Sequence, residues 1–391
     1  MFTSIKFRLY PNKEQIVLFQ KTVGCCRRVY NDALHYKIKI YKKTGRSVSQ
    51  YDLMEKLTRV KKKDEYSYLK EVDSTALQNS LKDLNDAYQR FFKHGNGFPR
   101  FKAKGKARAS FRCSMSNVIN IESGTLDIGK YKNVKARGSF DLYQNEKIVS
   151  ITVSLDSDSN WYASVLVKKD TIVYDHVHKY ESCGIDLGIK KPVVIAYENH
   201  DNSVSIKRSG IEFSRRLSRA ERRRKRYARA FSRKKRGSKN QGKASKKLSK
   251  AYHRERQLRK DWIEKTTHSI ASNCRVVVVE NLNVKGLTKS AKGTVDNPGT
   301  NVSAKSGLNR ELTRLGMGMF LVRLEQKVSK YQGIFIKVDP RHTSQQCNKC
   351  GYTSKTNRLS QSRFECQSCG HIDNADYNAA RNIRDKGLLV A

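Results

Sequence analysis

Two Cys-x-x-Cys-Gly pairs constrain the fold of this chain most, because four thiolates on one metal ion hold two separate loops together. Cys347 is paired with Cys350 and Cys366 with Cys369, and 15 residues separate the two pairs. A glycine follows each pair and suits the tight turn of a metal-binding knuckle. Four thiolates leave no open position for a substrate, so the pattern predicts a structural zinc site. Two disulfides or an iron–sulfur cluster are the alternatives.

The charge of the chain indicates a polyanionic partner. The 391 residues include 80 Lys and Arg against 36 Asp and Glu, a formal net charge of +44. Such self-repulsion is relieved by binding phosphates, so we expect a nucleic acid partner. No apolar stretch is long enough for a membrane helix and the start has no signal-peptide pattern, so we expect no membrane partner and a cytoplasmic protein. In a prokaryotic cell, its positive charge is expected to associate it with the nucleoid.

The positive charge is concentrated in residues 215–260, which hold 22 Lys and Arg against two acids. Like charges four residues apart on a helix repel each other unless an outside anion screens them. We therefore predict basic helices within residues 212–273 that lie along a phosphate backbone. The predicted nucleic-acid-binding residues are Arg215, Arg216, Arg219, Arg222, Arg223 and Arg226.

The first part of the chain is predicted to form a small β barrel that contains a helical insertion. Residues 3–9 alternate as in a half-buried strand, and Asn12 with Gln15 can cap a helix. Further helices are predicted near residues 49–62 and from Ser74 to Lys93, and strands near 118–122, 125–129, 147–155 and 161–168. The barrel domain takes residues 1–10 and 96–180, and the helical domain residues 11–95.

A mixed α/β unit is predicted from residue 181. Its strands are read at Gly184–Gly188, Val193–Tyr197, Ser203–Lys207, Val276–Val279 and Ile334–Val338, with a loop over 286–307, a helix over about 309–331 and a last helix from near Asn374. The predicted order of elements is that of a ribonuclease-H-like nuclease fold: three strands, helices, a strand, a helix, a strand and a last helix. This nuclease domain takes residues 181–343 and 372–391, and the zinc ribbon, residues 344–371, is inserted in it as a nucleic-acid-binding module.

Three acids are predicted to meet in this unit. Asp186 lies in its first strand, Glu280 ends its fourth strand, and Asp376 lies at the start of its last helix. Asp373 competes with Asp376 and is the more natural helix cap. Phosphodiester hydrolysis needs an activated water and a stabilised leaving oxygen, which two Mg²⁺ ions held by carboxylates supply. The pattern therefore predicts a catalytic magnesium site with two ions.

These motifs resemble those of the TnpB family of insertion-sequence proteins, the RuvC-like relatives of type V CRISPR effector nucleases. The shared segments are LYPNKEQ, GFPRFK, GIDLG, VVVENL, SQQCNKCG and NADYNAARNI. The resemblance implies that Asp186, Glu280 and Asp376 are the catalytic triad. It also implies an RNA-guided, magnesium-dependent DNA endonuclease, with the barrel as the family's wedge and the helical insertion as its recognition region.

The partners implied by this resemblance are a guide RNA from the end of the element and double-stranded target DNA. One protein molecule per RNA and a separately encoded transposase are also expected. The alternatives are an unguided transposase or a DNA-binding accessory protein of transposition. Tyr88, Phe91, Phe92 and Phe98 can stack on exposed bases, although a role in the core is the favoured interpretation for most of them.

Overall fold

A computed structural model describes residues 2–138, 140, 147–168, 177–199 and 203–389. Parts of the predicted barrel domain, residues 139, 141–146 and 169–176, lie outside the described residues. The chain divides into two compact units, Met1–Ile172 and Val173–Ala391.

The helices of the first unit begin and end at residues that sequence signals identify. They are α1 (Lys13–Thr44), α2 (Gln50–Val60), a 3₁₀ helix (Asp64–Lys70) and α3 (Ser74–His94). Asn12 and Gln15 form the predicted capping box at the start of α1, and Ser49 with Asp52 forms another on α2. Gly95 ends α3 in the left-handed conformation, with φ of 62°.

Seven antiparallel strands complete the first unit. They are β1 (Phe2–Leu9), β2 (Ser110–Cys113), β3 (Val118–Asn120), β4 (Thr125–Ile128), β5 (Tyr131–Arg137), β6 (Lys147–Leu155) and β7 (Trp161–Lys168). Their order in the sheet is β2-β6-β7-β1-β5-β4-β3, so the first strand lies at the centre. The predicted strands are confirmed, whereas β2 and β5 were missed. Within the described residues no pairing joins β2 to β3, so closure into a barrel stays a prediction.

The core of the first unit lies between this sheet and α1 and α3. Phe19 of α1 is fully buried, and its ring centroid lies 5.5, 5.3 and 5.2 Å from those of Phe111, Tyr131 and Trp161. Aromatic rings at such distances pack favourably beyond the area that they bury.

The second unit is built on a five-stranded mixed sheet. Its strands are β8 (Tyr180–Asp186), β9 (Val193–Glu198), β10 (Val204–Ser209), β11 (Cys274–Glu280) and β12 (Ile334–Val338), in the order β10-β9-β8-β11-β12. The first three strands, β8, β9 and β10, pair with one another in antiparallel fashion, and β11 runs parallel to both β8 and β12. The valines of β11 alternate between two cores, because Val277 and Val279 belong to one and Val276 and Val278 to the other. A strand buried on both faces, as predicted, is confirmed.

The remaining elements of this unit are α4 (Ile211–Ser232), α5 (Lys239–Asn273), α6 (Val284–Leu287), α7 (Val302–Leu315), α8 (Met317–Lys330), a 3₁₀ turn (Lys355–Asn357), β13 (Arg363–Glu365), β14 (Ile372–Asn374) and α9 (Ala375–Leu388). The single helix predicted over 309–331 is wrong. Gly316, with φ of 73°, separates α7 from α8, and α7 begins inside the segment that was predicted as loop.

Candidate active site and metal centre

The sheet of the second unit brings two of the predicted acids together at the carboxyl ends of two adjacent strands. Asp186 is the last residue of β8 and Glu280 the last residue of β11. The two strands are parallel neighbours in which Ile185 pairs with Val279, so the acids that follow lie at adjacent positions where the strands end. Each acid follows a buried apolar run, which fixes the strand and leaves the carboxylate at its end.

Helix α9 carries the third acid, Asp376, in its first turn. A Cβ atom on Gly184 would lie on the Ala380 carbonyl oxygen and only 2.5 Å from the Arg384 nitrogen, so α9 packs directly on the backbone of β8. A Cβ on Gly387 would be 3.0 Å from Cβ of Val278, so the same helix also lies close to β11. Small residues therefore bring Asp376 to the acids at the strand ends.

The electrostatics of Asp186 support a cluster of carboxylates. Burial, and then repulsion from Glu280 and Asp376, raise the pKa of Asp186 from 3.8 to about 7, although Arg358 and Lys191 oppose this. Burial also raises the pKa of Glu280, which accepts a 2.6 Å hydrogen bond from the hydroxyl of Thr343. Negative charge at this edge is therefore costly until a cation compensates it.

Two basic side chains that sequence analysis did not assign to the site hold Asp376. Nζ of Lys191 lies 2.9 Å from one carboxylate oxygen, and a guanidinium nitrogen of Arg358 lies 3.7 Å from the other. Lys191 follows the GIDLG motif, and only its nearness in sequence to Asp186 could have indicated it. Arg358 comes from the segment between the two cysteine pairs.

The structure separates Asp376 from its competitor. Asn374 caps α9 by accepting from the backbone nitrogen of Asp376 at 3.1 Å, so the prediction that Asp373 is the natural cap is wrong. Asp373 forms an ion pair with Arg381 instead. The same amide oxygen of Asn374 also accepts from Nζ of Lys191, at 3.2 Å.

The three carboxylates fit divalent ions that prefer oxygen ligands. The side chains that commonly bind metals are those of His, Cys, Asp and Glu. Among the described residues, only the four cysteines form a group of three or more of these side chains whose ligand atoms all lie within 4.8 Å of one another. The carboxylates are therefore more widely spread than one compact site requires.

The four thiols have the geometry of a tetrahedral zinc site. Sγ of Cys347 lies 3.7 Å from that of Cys369, and Sγ of Cys350 lies 3.6 Å from that of Cys366. With Zn–S bonds of about 2.3 Å, a tetrahedron places its sulfurs about 3.8 Å apart. The thiols therefore lie almost where zinc would hold them.

The backbone of the two cysteine loops supports this assignment. Gly351 donates to the carbonyl of Cys347 at 2.9 Å and Gly370 to that of Cys366 at 3.0 Å, and both glycines have positive φ. Two loops of matching geometry thus face each other, as the two knuckles of a ribbon do.

Two buried asparagines attach this ribbon to α9. Asn378 accepts from the backbone nitrogen of Asn348 at 2.9 Å and donates to the carbonyl of Gln346 at 2.7 Å. Asn382, one turn further on, donates to the carbonyls of Gln346 and Thr343. Sequence analysis missed both roles, because a polar residue inside a helix gives no signal of its tertiary partner.

The basic helices α4 and α5 leave the predicted arginines free to face a partner. All six predicted nucleic-acid-binding arginines are exposed: Arg215, Arg216, Arg219, Arg222, Arg223 and Arg226. The two acids within residues 215–260 have internal partners, since Glu255 pairs with Arg224 at 2.8 Å and Glu221 with Arg314 at 3.6 Å. None of the helices in the described part of the chain is long and apolar enough to span a membrane.

Three family models match the chain. Residues 1–46 match the helix-turn-helix domain and residues 164–291 the "Probable transposase" model of the OrfB IS605 family, and residues 318–383 match the TNB domain of Cas12f1-like proteins. In this structure the segment matched as helix-turn-helix is mainly one strand and one 32-residue helix.

Two curated relatives match along nearly the whole chain. InsQ of Escherichia coli K12, named as a candidate RNA-guided DNA endonuclease, is 34% identical over 388 residues, 99% of this chain and 92% of that protein. A protein of the same description from Streptomyces pristinaespiralis is 30% identical over 391 residues, 99% and 90% of the two chains. The fold is shared with Cas12f1 in its complex with guide RNA and target DNA, with a TM-score of 0.58, 16% identity and 98% of each chain covered.

Proposed function

Because the chain belongs to the TnpB family of insertion-sequence proteins, we propose that it is an RNA-guided DNA endonuclease of a mobile element. Guide RNA from the element end pairs with double-stranded target DNA, and the protein cuts the target next to a short motif. The observation that carries this proposal is the meeting of Asp186, Glu280 and Asp376 at one edge of a mixed sheet.

The strand order supports a ribonuclease-H-like nuclease domain formed by residues 181–343 and 372–391. Three antiparallel strands followed by two parallel ones match the order expected for that fold. Residues 344–371 act as its zinc ribbon. Residues 1–10 and 96–180 act as the wedge barrel and residues 11–95 as the recognition region.

In the proposed mechanism Asp186, Glu280 and Asp376 would hold two magnesium ions. When bound, the ions would supply an activated water and stabilise the leaving oxygen of the phosphodiester. The raised pKa of Asp186, caused by burial and by the two neighbouring carboxylates, makes this group the one whose charged form depends most on a compensating cation. The hydroxyl of Thr343 fixes the orientation of the Glu280 carboxylate.

Lys191 and Arg358 position Asp376 and neutralise it while no divalent ion is bound. Arg358 makes the longer contact and is 31% exposed, so it can turn from the carboxylate towards the scissile phosphate. A guanidinium offers paired donors that suit phosphate oxygens. In this mechanism the segment between the cysteine pairs therefore contributes directly to cutting.

The exposed arginines of α4 bind the phosphates of the RNA–DNA duplex. Their contacts fix its position without reading its sequence, which is left to base pairing. Binding should therefore weaken steeply as salt increases, because each phosphate contact releases counterions. One protein molecule acts per RNA, and excision of the element needs a separately encoded transposase.

Substitution of Asp186 by alanine tests the catalytic assignment. Asp186→Ala should abolish magnesium-dependent cleavage and leave nucleic acid binding nearly unchanged. Asp373→Asn is the matched control, because Asp373 forms its ion pair with Arg381, whereas Lys191 and Arg358 pair with Asp376. The amide oxygen of the variant can still accept from the backbone nitrogen of Asn374, as the carboxylate does at 2.7 Å. Cleavage by Asp186→Ala at the wild-type rate would remove this residue from the mechanism.

An unguided transposase is the second candidate, favoured by the description of the family model that matches residues 164–291. Sequencing of the RNA that copurifies with the protein separates the two. A discrete RNA from one locus, whose altered guide segment redirects cutting, supports guidance. Activity on free element ends without RNA supports the transposase.

A further inference from the structure

Four aromatic rings form an exposed cluster at the end of α3. Phe92 lies 6.2 Å from Tyr88 and 5.1 Å from Phe91, and Phe98 lies 5.5 Å from both Tyr88 and Phe91. Phe92 is 74% exposed and Phe98 46% exposed. The favoured interpretation that these residues belong to the core is therefore wrong for Phe92 and Phe98.

The turn that ends α3 and contacts with α1 hold the cluster in place. Gly95 turns the chain at the end of α3, and Asn31 of α1 clamps the returning segment by a pair of hydrogen bonds with the backbone of Lys102, at 3.0 and 2.8 Å. Nζ of the buried Lys37 lies 5.1 Å from the ring centroid of Tyr88. The exposed rings thus form a fixed surface that needs little ordering when a ligand binds.

The surroundings of the cluster are cationic. Residues 88–104 contain five Lys and Arg and no acid. Arg90, Lys93 and Arg100 are exposed within this segment. Exposed aromatic rings next to cations are the combination that binds unpaired nucleotides, because the rings stack on bases and the cations bind phosphates.

We propose that this cluster, the Phe92 platform, stacks on unpaired bases of the guide RNA. The proposal rests on the proposed function, and it names a surface by which the protein holds its RNA. Exposed phenylalanines on a protein that is otherwise strongly charged favour association unless they are covered. The guide RNA is the partner that stays bound before a target is found, whereas a displaced DNA strand exists only afterwards.

The first test measures how fast the copurified RNA dissociates from the full protein. Phe92→Ala should release it about 5- to 100-fold faster, the range given by one lost stacking contact. Phe92→Trp should restore slow release, and Val17→Ala, which truncates another exposed apolar residue of this unit, should release at the wild-type rate. The slope of log affinity against log salt should not change in Phe92→Ala, since no phosphate contact is lost.

Unchanged release from both Phe92→Ala and a second variant, Phe98→Ala, would overturn the platform. So would equal weakening of a fully paired RNA duplex, which offers no free base face. Ultraviolet crosslinking before and after target DNA is added identifies the occupant. RNA attached to the peptide that contains Phe92 supports the proposal, and attachment of DNA alone overturns it.

Failure of the proposed function gives a different result. If no discrete RNA copurifies, guidance is refuted. Stacking by the Phe92 platform is then tested by measuring the binding of a short synthetic single-stranded RNA. On that probe the same loss in Phe92→Ala and the same rescue by Phe92→Trp are expected, and the absence of both overturns stacking itself.

Discussion

Replacing Gly184 by alanine tests how the third acid reaches the other two. The added methyl group would meet the Ala380 carbonyl oxygen and lie 2.5 Å from the Arg384 nitrogen, where ordinary contacts begin near 3.4 Å. Both atoms belong to the backbone of α9, so no flexible side chain can turn away. The helix must therefore move outwards by about 1 Å, at a cost of roughly 1–3 kcal/mol.

This movement carries Asp376 away from the strand ends. A displacement of about 1 Å in a catalytic group lowers rates by about 100-fold, because the reacting geometry is lost. We expect Gly184→Ala to cut guided target DNA about 100-fold more slowly in a single-turnover assay. Its affinity for RNA and DNA should stay within a factor of about 3, since the exposed arginines lie on other elements.

Gly242→Ala is the matched control. It adds the same methyl group to a glycine of the second unit, on α5, where nothing lies within 4 Å. It should cut at the wild-type rate and unfold at the same or a slightly higher temperature. If Gly184→Ala also cuts at the wild-type rate with an unchanged unfolding temperature, the close packing of α9 on β8 does not position the site.

Removal of the proposed zinc by Cys350→Ser should lower the unfolding temperature, as measured by calorimetry, and should abolish cutting in the cleavage assay; metal content equal to that of wild type in metal analysis would refute the four-thiolate site. Arg224→Ala should destabilise the protein by about 1–3 kcal/mol in urea unfolding, because it removes the ion-pair partner of the buried Glu255. Arg222 is exposed, so Arg222→Ala should weaken only nucleic acid binding. Without divalent ions, Asp186→Asn should become increasingly more stable than wild type as pH rises from about 4 through 7. In the folded wild type the pKa of Asp186 is raised above its value in the unfolded chain, so the stability of the wild-type protein falls as pH rises over that window. Each unit of pKa difference corresponds to about 1.4 kcal/mol. A pH-independent difference would contradict the carboxylate cluster.

Local signals determined what could be predicted from sequence. The capping box at Asn12 and the valine run that ends at Glu280 involve neighbours in sequence, and the structure confirms both elements. Gly316 was missed because one glycine inside a helical pattern does not reveal whether it continues the helix or takes a positive φ. Weak local signals also explain why two strands were not recognised, since β2 has only four residues and most residues of β5 are polar.

The same distinction between local signals and tertiary contacts applies to the residues of the candidate site. The three acids follow recognisable motifs, whereas Lys191 and Arg358 reach Asp376 only through tertiary structure. Their partners lie 185 and 18 residues away in sequence, at spacings that no periodic pattern records. The exposure of Phe92 was likewise hidden, because an aromatic residue on a helical stripe reads as core whether or not anything covers it.

The asparagines of α9 join the cysteine loops to the helix that bears Asp376, because Asn378 and Asn382 bind carbonyls that lie beside those loops. During synthesis Asp186 and Glu280 emerge well before the cysteine loops, and the helix that bears Asp376 emerges after them. If the thiols bind zinc as proposed, a newly made chain without the metal would lack one of the surfaces on which α9 docks, the other being the strands below Gly184 and Gly387. We therefore expect metal loading to be a step in the maturation of the proposed nuclease, before which the chain would leave DNA uncut.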